Sequence, residues 1–475
     1  MATSSRRTDD DAIAPGVATP RASGLLAPLL DDAPPIERRL LASLLGVLAI
    51  KDLMVSDVPR MLLAQEGELR LPFFSFAKPL LYSQWGDAAC FALHVAAFGC
   101  ALLLIAGRYA RVAAAALAAL YLATFLSDQL AYTNNVFLFI VLLGLCAIEP
   151  LDPEHPSPRY PTFLVRALVT VIYAVGALVK LDGNWRSGYI LGEACLHYHF
   201  AYAKNFGLNV DWLFRWLALV SLFVEGALAI ALWRKSMRKY AIVVGVLFHF
   251  FVEMLLPVRI FSWEMMAVYV VFLDRDELEA VHAWWSRKGT LSRAMLGVLV
   301  ALVINATFTW LFQISTLPPR HQIALAMAAS SFVGAWVLFP TLRAPDSGGA
   351  TVVRRGARLP LVAALVGLEL FAIVKPALGY TNRFGWRMFT EVLRLRVEAQ
   401  ALEGGGWSDA PLDEYWSRYD LRYHWDSLGE QRNLLRGYGD WLLAGHADYR
   451  AVRLKLVYER NGEPEQQETI ELARP

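Results

Sequence analysis

The segment VKLDGNW, at residues 179–185, ends an apolar run that starts near Pro161. It places Lys180, Asp182 and Trp185 at the end of a hydrophobic stretch as long as a helix. A lysine at membrane depth costs roughly 2.5–3.5 kcal/mol on insertion scales, so it marks a candidate functional site. A desolvated lysine loses its proton readily and can act as a general base. The alternative is a lysine that snorkels to the interface beside an interfacial tryptophan.

Other ionisable residues interrupt two later apolar runs. Glu225 lies in the middle of LVSLFVEGALAIAL, and His249 and Glu253 lie four residues apart in LFHFFVEML, on one helical face. One interpretation is structural: Glu225 and His249 form a buried interhelical hydrogen-bond pair, and Glu253 is a further buried polar residue. The other interpretation is direct chemistry. A metal site would need a third ligand beside His249 and Glu253, and the sequence does not show where one would lie, so no metal is predicted.

The composition of the chain predicts a membrane protein. Its 475 residues are 56% hydrophobic and the mean hydropathy is +0.39, whereas soluble domains are about 45–50% apolar. Several apolar runs approach or exceed the roughly 18–20 residues that cross a bilayer, which predicts about 9–11 transmembrane helices. The predicted spans are 40–56, 89–107, 112–131, 135–149, 161–180, 212–233, 240–257, 260–273, 294–313, 321–342 and 359–378.

The placement of arginine and lysine predicts how these spans are oriented. Basic residues precede the first span and then cluster in alternate loops, near 38–39, 108–111, 234–239, 287–293 and 343–358. Such loops face the cytoplasm. Residues 1–37 carry Ser, Pro, Ala and charges, which predicts a disordered cytoplasmic tail rather than a cleaved signal peptide. The predicted location is the cell membrane, which in a bacterium is the inner membrane, crossed several times.

Residues 379–475 follow the last predicted span and are expected to lie outside the cytoplasm. Their end alternates and then turns, as AVRLKLVYE, Asn461-Gly462 and QQETIEL, which is typical of a β-hairpin. The predicted fold is therefore an all-α polytopic membrane bundle over 38–378, with additional helices near 294–342, and a small α+β extracytoplasmic domain over 379–475. The net charge of +2 does not indicate a nucleic-acid partner.

The predicted topology brings several polar residues to the same side of the membrane. The third, fifth and seventh spans all end on the outer side. Lys180 ends the fifth span, and Asn134 and Asn135 lie in the polar loop after the third. We therefore expect these three side chains to share one outward-facing cavity, with Glu225 and His249 deeper.

Several segments together resemble one enzyme family. YAVGALVKLDGNWRSGY, at 173–189, resembles the segment of vitamin K-dependent gamma-carboxylases that carries their catalytic lysine. Other segments are similar to that family in the same order: FHFF around His249, FSWEMMAVYVVFL at 261–273, GYTNRFGWRMF at 379–389, LLRGYGDWLL at 434–443 and RLKLVYERNGEPEQ at 453–466. The family belongs to the horizontally transferred transmembrane (HTTM) domain group, and the resemblance covers most of residues 38–475.

The resemblance implies an enzyme that uses reduced vitamin K or another quinol, oxygen and carbon dioxide to modify glutamate in a peptide or protein outside the cytoplasm. In the family the lysine deprotonates the quinol, oxygen converts it to a stronger base that removes a glutamate proton, and carbon dioxide adds. Lys180 would be the general base, which requires its neutral form, and an apolar cavity would keep water away. The residues predicted to form the quinol pocket are Asp182, Trp185, His249, Trp386 and Met388.

One loop departs from the family pattern. Where the family has Asn-His-Tyr, with a histidine that assists oxygen chemistry, this chain has Asn134-Asn135-Val136. Both asparagines are catalytic candidates by position, but an amide carries no proton charge. The alternatives to a carboxylase are a diverged quinol-oxidising or peptide-maturation enzyme and a non-catalytic binding or immunity protein. A neutral Lys180 lining an apolar pocket favours an enzyme, whereas a salt bridge from Lys180 to Asp182 without a pocket favours a binder.

Overall fold

The computed structural model describes residues 32–55, 87–151, 157–198, 211–278 and 392–474, apart from a few positions within them, together with isolated positions such as 69, 71 and 73. The predicted spans between 294 and 378, and also Trp386 and Met388, lie outside the described residues. Helices make up most of the described chain up to residue 272, and an antiparallel sheet with one helix follows residue 392. The prediction of a mostly helical chain with a small sheet-containing part at its C-terminal end is therefore confirmed.

Helices occupy the positions of the first eight predicted spans. In chain order the helices are α1 (Ile36–Val55), α2 (Asp87–Ala106), α3 (Ala110–Ser127), α4 (Asn134–Ile148), α5 (Tyr160–Val179), the short α6 (Gly183–Arg186) and α7 (Tyr189–Tyr198), α8 (Asp211–Ala231), α9 (Lys235–Leu255) and α10 (Phe261–Val268). A 3-10 turn extends α10 to Phe272. The closest helix pairs include α1 with α2, α3 with α4, and α5 with α8.

Two of the described helices, α5 and α8, are long and apolar enough to cross a membrane by length and composition. Apolar side chains on the surface of the bundle also support a contact with the membrane. Phe91 on α2, Phe223 and Ile230 on α8 and Val243 on α9 each expose more than half of their surface. Contiguous exposed apolar surface on a monomer marks a contact with a membrane or a partner. How many of the helices cross the bilayer stays a prediction.

The described structure begins within the segment predicted as a disordered tail. Strand β1 (Asp32–Ala33) pairs antiparallel with β2 (Ser157–Pro158), and α1 starts at Ile36. Residues 1–31 lie outside the described part of the chain. The first helix therefore starts before the predicted domain boundary at residue 38.

Basic side chains gather at one end of the bundle. Arg38 donates to the carbonyl of Pro150 at 3.3 Å, which joins the start of α1 to the end of α4. Arg238, at the start of α9, pairs with Asp274 after α10 at 2.9 Å. Arg166 on α5 interacts electrostatically with both Arg238 and Asp274. Arg166 also interacts electrostatically with Glu37, next to Arg38, so the basic residues near 38 and 238 lie at one end of the bundle.

The C-terminal domain contacts the opposite end of the bundle. Leu71 packs in the core of that domain, and its backbone N–H lies 3.4 Å from the carboxylate of Asp128 at the end of α3. A Cβ on Gly462 would lie only 2.8 Å from the hydroxyl oxygen of Tyr189 on α7. The domain therefore lies away from the basic end, near the end of α5 that carries Lys180. Which end faces the cytoplasm stays a prediction.

The C-terminal domain is an antiparallel sheet covered by one helix. The strands β3 (Leu393–Glu403), β4 (Gly406–Asp409), β6 (Ala451–Arg460) and β7 (Gln466–Ala473) are ordered β4-β3-β6-β7, and β5 (Arg422–His424) also pairs with β3. Helix α11 (Leu428–Gly445) begins with a capping box of Ser427 and Glu430. The β6–β7 turn contains Asn461 (φ 50°) and Gly462 (φ 77°), both left-handed. The predicted hairpin is confirmed.

Candidate functional site

A cavity of about 360 Å³ lies between α5, α8 and α9. Most of its wall is apolar, as in ordinary small-molecule sites. The polar side chains in its wall are those of Tyr173, Lys180, Ser221, Glu225 and His249. The indole of Trp185 also lines it. The cavity therefore contains three predicted site residues: Lys180, Trp185 and His249, together with Glu225, which had been predicted to be structural.

Lys180 forms the C-cap of α5 and is buried, with 8% of its surface exposed. Its Nζ lies 2.5 Å from Oε1 of Glu225 and 4.8 Å from the centre of the Trp185 ring. The ammonium thus has an ionic partner and an aromatic face, a cation–π arrangement. Lys180 does not snorkel into bulk solvent, and its ionic partner is Glu225 rather than Asp182.

The residues after Lys180 form a tight turn that attaches α5 to α8. The carboxylate of Asp182 is exposed and caps α6 by accepting from the backbone N–H of Asn184 at 2.8 Å. The indole N–H of Trp185 donates to the carbonyl of Ala218 on α8 at 3.2 Å. Asp182 is not among the residues that line the cavity. The prediction that Asp182 contributes to the pocket is therefore not supported by its position.

Gly176 allows Glu225 to reach Lys180. A Cβ at Gly176 would lie 2.7 Å from Oε2 of Glu225, closer than real Cβ contacts. The absence of a side chain therefore leaves the space in which the carboxylate lies. One helical turn further on, the ammonium of Lys180 contacts the other carboxylate oxygen of Glu225, Oε1. Residues 176 and 180 share a face of α5 because they are four residues apart.

His249 in the cavity wall is hydrogen-bonded to Tyr173, which is bonded in turn to Tyr269. Nε2 of His249 lies 2.7 Å from the hydroxyl of Tyr173 on α5, and that hydroxyl forms a short hydrogen bond with the hydroxyl of Tyr269. Its Nδ1 has no hydrogen-bond partner among the described residues. Glu225 and His249 are therefore both polar residues of the cavity wall, but they do not form the predicted hydrogen bond with each other. Each side chain instead contacts α5, Glu225 through Lys180 and His249 through Tyr173.

A second buried polar cluster lies outside the cavity. Glu253 Oε1 is 3.7 Å from the ammonium of Lys51 and accepts from the indole N–H of Trp263 at 3.2 Å. The hydroxyl of Tyr121 donates to Asp52 at 3.0 Å. Glu253 thus joins α9 to α1 and α10, and it is not among the residues that line the cavity. No group of three or more residues suited to hold a metal ion occurs in the described ranges.

The two asparagines do not reach the cavity wall. Asn135 donates from Nδ2 to the carbonyl of Val258 at 2.6 Å, which ties the start of α4 to the segment between α9 and α10. Asn134 is the first residue of α4. Neither is among the lining residues. The structure therefore does not place Lys180, Asn134 and Asn135 in one shared cavity.

The sequence analysis missed several polar residues of the two clusters. Lys51 and Asp52 end the first apolar run, and the rule that ionisable residues inside spans are functional candidates could have identified them. Tyr173 precedes Lys180 by seven residues, which is two helical turns, so it shares the face of Lys180. Tyr269 gave no comparable signal, because tyrosines are common in apolar helices at membrane interfaces.

Comparison with known proteins finds one match to a family model. No curated protein and no solved structure matches the chain. The model of the HTTM domain matches residues 35–276, more than half of the 475 residues. The match includes Lys180, Glu225 and His249, and thus the polar side of the cavity. The chain therefore belongs to the HTTM domain family.

Proposed function

We propose that this chain is a multi-pass membrane enzyme of the vitamin K-dependent gamma-carboxylase type. It uses a reduced quinone, reduced vitamin K or another quinol, with oxygen and carbon dioxide to modify glutamate in a peptide or protein outside the cytoplasm. The observation that carries the proposal is the buried Lys180 in an apolar cavity of an HTTM domain. The resemblance of residues 173–189 to the lysine segment of those carboxylases assigns the same lysine to general-base chemistry.

The Lys180–Glu225 contact is compatible with a base. Nζ of Lys180 and Oε1 of Glu225 lie 2.5 Å apart, so a proton can pass between them along one hydrogen bond. When the shared proton lies on Glu225, Nζ of Lys180 has a free electron pair, and both groups are neutral. The neutral pair carries no charge that the apolar cavity must desolvate, so moving the proton from the ammonium to the carboxylate costs little there. Glu225 would then position Lys180 and also take up its proton.

The cavity suits a ligand that travels in the membrane. Three of its lining residues, Val220 on α8 and Val244 and Phe251 on α9, are also exposed on the apolar surface of the bundle. The opening is therefore between α8 and α9, on a face that we expect to meet lipid. A quinol with an apolar tail can enter from the bilayer, and the apolar wall keeps water from the base.

This proposal is tested by mass spectrometry of peptides that are encoded next to the gene of this chain and co-expressed with it. We expect a gain of one carbon dioxide on glutamate with the wild-type chain and none with Lys180→Ala. The control is Lys235→Ala, because the Lys235 side chain is 72% exposed and pairs with Asp274 at the basic end of the bundle. Carboxylation by Lys180→Ala at the wild-type level, with any quinol, would show that Lys180 is not the base.

The second candidate function is a diverged quinol-oxidising or peptide-maturation enzyme. It is favoured by Asn135, which bonds to the carbonyl of Val258 where the carboxylases have a histidine that assists catalysis. In a carboxylase, Asn135→His is expected to raise the turnover. Quinol consumption without carboxylation, unchanged in Asn135→His, would support the diverged enzyme. Quinol binding without consumption would support a non-catalytic binder on the same bundle.

A further inference from the structure

Glu264 on α10 is a completely buried carboxyl group outside the cavity. None of its surface is exposed, and it is not among the residues that line the cavity. Neither of its carboxyl oxygens has a hydrogen-bond partner among the described residues. Buried polar atoms in native proteins are nearly always paired, so a carboxyl group with two unpaired oxygens calls for an explanation. An isolated ionised carboxylate is so costly in such a place that the group takes up a proton instead.

The residues around Glu264 contain one ammonium group for several carboxyl groups. Glu264 interacts electrostatically with Lys51 and Asp52 on α1 and with Tyr121 on α3. Of the described residues, Lys51 carries the only positive charge in that set, and its ammonium lies 3.7 Å from Oε1 of Glu253. The same ammonium interacts with three carboxyl groups, those of Asp52, Glu253 and Glu264. One positive charge cannot neutralise three carboxylates.

These groups lie together towards the end of the bundle opposite the basic one. Lys51 and Asp52 are in the last two turns of α1, Glu253 is in the last turn of α9, and Glu264 is in the first turn of α10. Helices α4 and α5 and the 3-10 turn also pack against α10. None of their titratable residues is among the described groups that interact electrostatically with Glu264. The carboxyl group therefore lies where α1 and α9 meet α10.

We propose that Glu264 binds a proton at neutral pH and that this proton-binding site couples the pH to the packing of α10 against α1 and α9. The inference does not depend on the proposed function. A neutral carboxyl group can pack beside Asp52, whereas an ionised one would place two like charges in the same buried region. Phe261, one turn before Glu264, lines the cavity, and its ring centre lies 5.8 Å from that of His249. Loss of the proton would therefore also disturb the cavity wall.

The bound proton makes the stability of the fold depend on pH with a defined sign. In the unfolded chain a glutamate loses its proton above about pH 4.3. Because the folded chain keeps the proton, unfolding at neutral pH releases it, and the unfolding equilibrium constant rises about tenfold for each pH unit. The stability that the proton contributes is fully present below about pH 4.3 and decreases as the pH rises. Glu264→Gln has no proton to release and should lack this part of the pH dependence.

Infrared spectroscopy of the full chain in lipid nanodiscs tests the protonation directly. The carbonyl stretch of a protonated carboxyl group is separate from the bands of carboxylates and backbone amides. In a spectrum of the wild type minus that of Glu264→Gln at neutral pH, we expect the band of one protonated carboxyl group. Glu264→Leu also removes the carboxyl group and should give the same band, which covers the case that Glu264→Gln does not fold.

Unfolding by denaturant in detergent micelles, between about pH 6 and 8, tests the coupling to packing. We expect the unfolding equilibrium constant of the wild type to rise more steeply than that of Glu264→Gln, by about tenfold for each pH unit. The matched control is Asp276→Asn, which removes an exposed carboxyl group beyond α10. This control should keep both the infrared band and the pH dependence of the wild type.

Two results would overturn the proposal. The first is a difference spectrum without the band of a protonated carboxyl group at neutral pH. The second is an equal pH dependence of unfolding in the wild type and Glu264→Gln. A missing band together with a stability that rises with sodium concentration in the wild type alone would also overturn it, in favour of a bound cation. None of these results bears on quinol turnover, which Lys180→Ala tests separately.

Discussion

Gly176→Ala is expected to disable the ion pair without touching either charged residue. The added Cβ would lie 2.7 Å from Oε2 and 3.3 Å from Cδ of Glu225. Ordinary contacts of a Cβ start near 3.4 Å, so the carboxylate must move by about 0.7 Å, the difference between 3.4 and 2.7 Å. Oε1 then leaves its position 2.5 Å from the ammonium of Lys180.

The structure also gives the size of the effect. Misplacing a catalytic group by about 1 Å can cost on the order of 100-fold in rate, so we expect a loss of quinol turnover of roughly 10- to 100-fold. Global stability should change little, because alanine is favoured over glycine inside a helix by about 1 kcal/mol, which offsets part of the strain. The variant should therefore fold and bind lipid normally but turn over slowly.

The matched control for this prediction is Gly226→Ala on the facing helix α8. A Cβ there would lie 3.8 Å from the Cβ of Ala177, an ordinary van der Waals contact. Both variants are measured for initial rates of quinol consumption in nanodiscs and for thermal unfolding. Equal rates for Gly176→Ala and Gly226→Ala would refute the reasoning, because the position of Glu225 would then not matter for turnover.

Three other predictions concern charge, pH and topology. Lys180→Met leaves Glu225 buried without its ionic partner, so the free energy of unfolding should fall by about 3 kcal/mol or more. Adding Glu225→Gln to that variant should recover most of the lost free energy of unfolding. An equal loss in the double variant would contradict a buried pair. In the C-terminal domain, burial and nearby Arg422 lower the pKa of His424 to about 4. Because the unfolded state keeps a histidine pKa of about 6.5, the domain should lose up to about 3 kcal/mol as the pH falls from 6.5 to 4. Denaturant titrations of wild type and His424→Gln check this, and an equal pH slope in the variant would exclude His424 as the cause. Finally, an impermeant thiol reagent on intact cells should label a cysteine at exposed Tyr419 but not one at exposed Met237, in the basic first turn of α9. The reverse pattern would invert the topology.

The amino-acid sequence by itself determined the elements and the most prominent site residue. Long apolar runs predicted the helices because a helix in an apolar environment must satisfy its own backbone. The Asn461-Gly462 dipeptide predicted the hairpin because both residues adopt positive φ there. Lys180 was a candidate from its type and place alone, since an ionisable residue within an apolar run is costly. Each of these properties is encoded within a few consecutive residues.

Only the tertiary structure decided which polar groups meet. A helical period shows that Glu225 faces inward but not which helix lies opposite, so the partner turned out to be Lys180 rather than His249. Gly176 brings α5 and α8 close enough for that contact, and its role depends on an atom 49 residues away in the sequence, at Glu225. Likewise Asp182, two residues after the lysine in sequence, is exposed, caps a short helix and does not line the cavity. Which polar side chains become partners depends on how the helices pack against one another. That packing is determined by the contacts of whole helix faces, so it cannot be derived from any single segment of sequence.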